Sequence, residues 1–159
     1  MRIKKATTLG LASGLVAGLV AITPAAGFVT PMGALAIGAI AGTVCYGGVL
    51  LKSKLGYDDA LDAFGVHGIG GATGALLPGL FARAAYGGFD GGLALFNKQA
   101  IAIVAAGAWS AVVTFVILKG IDLVIGLRVD AETENNGLDA TLHGESAYAG
   151  PGSVAHGVD

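Results

Sequence analysis

Residues 6–51 contain no Asp, Glu, Lys, Arg or His. A run of that length is enough for two membrane crossings at about 20 residues each. Pro24, Gly27 and Pro31 break it near its middle. Two further apolar runs follow, one over 63–82 and one over 99–124. Read as helices, the runs give four spans: about 8–23, about 33–51, a third ending at Ala82, and about 99–124. Polar and charged residues gather between them and after Val124.

Small residues recur inside the spans at helical spacing: Gly10, Gly14 and Gly18, then Gly38 and Gly42, then Gly70 and Gly74. In lipid, helices associate by contact packing, and such stripes let backbones approach closely. The predicted fold is therefore an all-α polytopic membrane protein whose helices form a tightly packed bundle. Twenty-eight glycines in 159 residues would weaken helices in water. In a bilayer, unpaired backbone groups cost too much for these helices to open.

Composition agrees with that class. The chain is 54% hydrophobic and 13% charged, against about 25% charged for a soluble domain; its mean hydropathy is +0.74. A formal charge of −2 and the absence of a basic block exclude nucleic acid as a partner. Cys45 stands alone in an apolar run, so it builds neither an intrachain disulfide nor a cysteine metal site. Lys and Arg fall at positions 2, 4, 5, 52, 54, 119 and 128 on one side of the span alternation, against Arg83 and Lys98 on the other. The excess of positive charge predicts a cell-membrane, multi-pass protein with both termini cytoplasmic. The first apolar segment, with its basic start and small residues near 25–27, also has the form of a secretory signal; its continuation into a second apolar run favours a span.

The chemistry concentrates on one side chain. His67 is the single ionisable group in the run 63–82, and an ionisable residue at membrane depth is a functional candidate by default. On a helix, Ala63 and Phe64 lie one turn to one side of it and Gly70, Gly71 and Gly74 toward the other. The imidazole thus projects from a surface of little bulk. An uncharged ring there can donate from one nitrogen and accept at the other. Asp62 stands at the cytoplasmic edge of the run, where it can cap or tie down neighbouring helices. Asp58 and Asp59 read as a solvated membrane-edge cluster. In the last span Trp109, Ser110 and Thr114 read as packing and interhelical hydrogen bonds, and Lys119 with Asp122 as a snorkelling pair. The stretch 68–74, Gly-Ile-Gly-Gly-Ala-Thr-Gly, lacks the preceding strand and the Gly-Lys-Ser/Thr ending of a nucleotide loop. No Ser-His-Asp, paired-carboxylate or metal-binding arrangement is present, so no enzyme, metal or cofactor is expected. The remainder, 126–159, is a polar tail in which Asp130 is placed to cap a short helix and Asn135-Asn136-Gly137 to turn the chain.

Three stretches carry a resemblance: Asp59-Ala-Leu-Asp-Ala-Phe-Gly-Val-His-Gly-Ile-Gly-Gly-Ala-Thr-Gly-Ala-Leu, the run 11–29, and the tail with Gly-Leu-Arg-Val, Gly-Leu-Asp and His-Gly-Glu-Ser-Ala-Tyr. In this order they resemble the C-terminal part, the last four of eleven spans plus the tail, of the ammonium transporter/Rhesus family. The resemblance implies membrane passage of ammonium or ammonia through a narrow hydrophobic pore, in a homotrimer with one pore per subunit. It gives His67 and Ala63 as pore-lining, supported by Asp62, Phe64, Gly65, Gly68 and Gly71. It also implies a third helix over 57–82 and a membrane region over 1–125. A regulatory tail is implied at Gly137, Asp139, His143, Gly144 and Tyr148, against which a cytosolic PII-type signalling protein would bind. The alternative reading is a truncated, non-conducting membrane protein whose tail still engages such a partner.

Overall fold

The computed structural model describes residues 7–145. Among these residues the secondary structure is helical except for one isolated antiparallel bridge between Val29 and Ala82. The described chain divides into two units, one through Trp109 and one from Ser110 onward.

In the first unit, α1 runs Thr8–Ile22 and α2 runs Pro31–Leu55. Each starts on a threonine whose hydroxyl accepts a first-turn amide. Thr7 takes the N–H of Gly10 and Thr30 that of Gly33, both at 3.0 Å. Pro24 opens a single 3₁₀ turn over Thr23–Ala25 that stops α1, and Pro31 supplies the first residue of α2, where its missing N–H costs nothing. Three shorter helices follow, α3 Ile69–Leu76, α4 Pro78–Phe81 and α5 Ala84–Gly87. The long α6, Leu93–Val124, runs on into the second unit, where α7 covers Ala131–Asn136. Among the described residues, three helical segments, Thr8–Ala25, Pro31–Leu55 and Leu93–Val124, are long and apolar enough to cross a membrane.

The third span departs from the expected continuous helix over 57–82. Residues 57–62 are not helical, and the helical path begins with a π-helical turn over Phe64–Gly68 that leads into α3. It breaks again at Leu77, before Pro78. Proline lacks the amide that would continue the ladder, and the left-handed backbone of Asp62, φ +54°, holds the start back from Tyr57.

The core is a seam of small side chains between α1, α2 and α3. On α1 the buried positions are Ala17 and Ala21; on α2 they are Gly33, Ile37, Ala41, Cys45 and Gly48. Ala25, Val29 and Leu77 close one end of it. At Gly74 of α3 the approach is tightest: a Cβ there would lie 2.1 Å from the Ala21 carbonyl oxygen. The expected stripe of Gly10, Gly14 and Gly18 is not the one that packs. Added Cβ atoms at Gly14, Gly18, Gly38 and Gly42 meet nothing within 4 Å. Leu9, Leu11, Leu15, Leu19, Met32 and Leu35 are exposed, a surface that suits lipid or neighbouring helices and would be unfavourable in water.

Candidate functional site

His67 is positioned by a loop that folds back on the end of α2. Gly56 ends α2 in the left-handed conformation, φ +69°. From the last turn of α2, the Lys52 ammonium donates to the Asp59 carbonyl at 2.7 Å and forms an ion pair with the Asp62 carboxylate. The Asp59 carboxylate turns the other way. It accepts the N–H of Phe64 at 3.1 Å and that of Gly65 at 3.3 Å, satisfying two of the amides a helix start leaves without partners. Asp59 is therefore not the solvated edge residue its composition suggested.

The turn so capped carries one extra residue. The Ile69 N–H reaches the Phe64 carbonyl, five residues back, as in the π-bulges that interrupt helices near functional sites. The register divides the side chains between two faces. Gly65 backs onto α2, where an added Cβ would stand 3.0 Å from a Val49 methyl. Val66 is buried with Ala17 and Cys45, and the Cys45 thiol points at the Val66 carbonyl, 3.7 Å away. On the other face Ala63, Phe64, His67 and Gly68 are exposed. The Phe64 ring lies over Gly68, where an added Cβ would meet it at 2.9 Å, and stands perpendicular to the Tyr57 ring with centroids 6.0 Å apart. Gly71 is open, with nothing within 4 Å of an added Cβ.

The structure thus gathers Ala63, Phe64, Gly68 and His67 on one face, with Gly65 behind them and Asp62 below in the loop. Gly70 and Gly74, expected to flank the imidazole, instead meet the Cys45 sulfur and the Ala21 carbonyl. Lys52 and Asp59 were missed as contributors. The sequence does hold a signal for Asp59, since an acid shortly before an apolar run is a helix-start pattern; for Lys52 it holds none. The apolar hollow of about 360 Å³ lined by Gly79, Leu80, Gly91, Gly92, Leu93 and Phe96 includes none of the expected site residues.

In the second unit, Asp130 caps α7. Its carboxylate accepts the Thr133 N–H at 2.9 Å and the Thr133 hydroxyl at 2.8 Å. The backbone bond first, and the hydroxyl second, hold this carboxyl below the usual aspartate range. Arg128 pairs with Glu134 at 2.8 Å, and Lys119 with Asp122 at 3.6 Å. Gly137 turns the chain at φ +93°. Asp139 and His143 bound a π-helical turn that Gly144 ends in the left-handed region. All four are exposed. Tyr148 lies outside the described residues.

Comparison with known proteins places these features in context. Residues 1–148 match the model of the Ammonium Transporter Family. The chain is 55% identical over 152 residues to an ammonium transporter of Bacillus subtilis, covering 91% of this chain and 38% of that protein. It is 50% identical over 153 residues to one from Aquifex aeolicus, covering 93% and 36%. Among solved structures, Saccharomyces cerevisiae Mep2 superposes with a TM-score of 0.74 at 40% identity, over 82% of this chain and 33% of that one. The chain spans about a third of the length of the relatives it matches.

Proposed function

This chain belongs to the Ammonium Transporter Family, and from that premise we propose that it forms the His67-bearing part of a membrane pathway for ammonium or ammonia. The observation that carries the reading is the exposed face of Ala63, Phe64, His67 and Gly68 on a segment whose opposite face is packed against α2. An ammonium ion leaving water loses hydration worth many kcal/mol, which a dry apolar path does not replace. An imidazole on such a path offers an acceptor to an N–H of the substrate and a donor to its lone pair. It can also take the proton that the ion must leave behind. The names of its relatives support reading the chain as a transporter component.

The test supplies the chain, in cells lacking ammonium uptake, together with the part of the Bacillus subtilis transporter that the match does not cover. Methylammonium uptake is expected from the pair, and His67→Ala is expected to lower it or to weaken its discrimination against potassium. Unchanged uptake and discrimination in the variant would overturn the pore assignment. No uptake from the pair would leave the reading of a non-conducting membrane protein.

Family membership also supports a homotrimeric assembly and a PII-type cytosolic partner at the tail. The tail surface proposed for that partner comprises Gly137, Asp139, His143 and Gly144, with Tyr148 beyond the described residues. Pull-down of a PII-type protein by the whole chain, lost on deletion of 137–148, is the expected outcome. Equal capture without those residues would remove the tail from the contact.

A further inference from the structure

The Asp59 cap and the downstream packing together decide which way His67 faces. Beyond the π turn, α3 is held in register on two sides, by Gly70 against the Cys45 sulfur and by Gly74 against the Ala21 carbonyl. Any change in the number of residues in the turn must therefore be taken up upstream, over 63–68. Expelling the extra residue from the π turn into the loop would restore an ordinary helix at 3.6 residues per turn and rotate His67 by about 100°. What opposes this is the pair of amides at Phe64 and Gly65, bound to the Asp59 carboxylate at 3.1 and 3.3 Å. Asp59 is in turn anchored through its carbonyl to Lys52, 2.7 Å away, while the same ammonium grips Asp62.

We infer that Asp59 is a positioning residue: its carboxylate locks the π turn of 64–68 and so fixes the rotational setting of His67. The inference rests on the reading of His67 as a pore group, for which a misaimed imidazole is the functional consequence.

The test uses the whole chain with ¹⁵N-labelled histidine in bicelles, where the His67 ring signals are identified by their loss in His67→Ala. Asp59→Ala is expected to shift or split those signals and to lower methylammonium uptake, in the paired assay above, by about tenfold or more, as small misplacements of a reacting group do. Asp59→Asn keeps one carbonyl acceptor and is expected to fall between; it carries the comparison if Asp59→Ala does not assemble. Because Asp59 acts through His67, the double variant Asp59→Ala/His67→Ala is expected to take up no less than His67→Ala alone. Wild-type ring signals in the Asp59 variants, or losses that multiply in the double variant, would overturn the inference. Should uptake be indifferent to His67→Ala, the pore reading falls by itself, and the ring signals still decide whether Asp59 sets the imidazole.

Discussion

Glycine content alone does not say which glycine carries the packing. At Gly74 the space for a side chain is occupied by main chain: a Cβ would sit 2.1 Å from the Ala21 oxygen and 2.7 Å from its carbonyl carbon. Backbone cannot swing aside as the end of a flexible side chain can. Gly74→Ala is therefore expected to cost more than the ~1–3 kcal/mol usual for overpacking and to lower the melting temperature of the detergent-solubilised chain. Gly14→Ala is expected to leave it unchanged, because the position is open. Equal melting temperatures for the two variants would refute the assignment. The sequence contains two small stripes at steps of four, Gly10-Gly14-Gly18 on α1 and Ala17-Ala21-Ala25 on α1 and the 3₁₀ turn that ends it. Spacing cannot choose between them, since the choice depends on which face α3 meets.

At the scale of elements, α1 and α2 follow from an uninterrupted apolar run with threonine and proline at its breaks. By contrast, α6 begins at Leu93, six residues before the expected start at 99, because its first turns lie ahead of Lys98 and outside the apolar run. The third span was legible as a run and not as a shape. Its late start depends on an ammonium delivered from α2 and on a carboxylate that reaches forward five residues, neither of which is visible in local periodicity. For the same reason the sequence singled out His67 but missed Asp59. The tail contains the opposite case, a cap that could be read directly: Asp130, with Thr133 three residues on, starts α7. Because its amide and hydroxyl bonds favour the ionised form, the folded carboxyl titrates below the unfolded one. The stabilisation is then complete above the ordinary aspartate value and is lost as pH falls through the lower, folded value. The Thr133 amide resonance is accordingly expected to stay constant near neutrality and to move toward its unfolded position only on strong acidification. In Asp130→Asn, which keeps an uncharged acceptor, that acid transition is expected to vanish; its persistence would assign the transition to another group.

For the molecule as a whole, the bilayer is the dominant constraint, and the distribution of cations along the chain predicts an orientation. Lys52 and Lys54 sit in the last turn of α2, whereas Arg83 lies after Ala82, beyond the third apolar run, where its N–H bonds the Phe28 carbonyl at 2.9 Å. The side with the excess of flanking Lys and Arg stays cytoplasmic during insertion, so the end of α2 is expected inside and the loop around α5, with Arg83 alone, outside. The single cysteine makes this measurable, because Cys45 is buried and can be replaced to give a thiol-free background. Ser53→Cys and Ala85→Cys, both at exposed positions, are then introduced one at a time into Cys45→Ala. A membrane-impermeant maleimide applied to intact cells is expected to label Ala85→Cys and to spare Ser53→Cys until the cells are permeabilised. The reverse pattern would invert the topology, turn the segment after α6 toward the outside, and remove the cytosolic partner proposed for it.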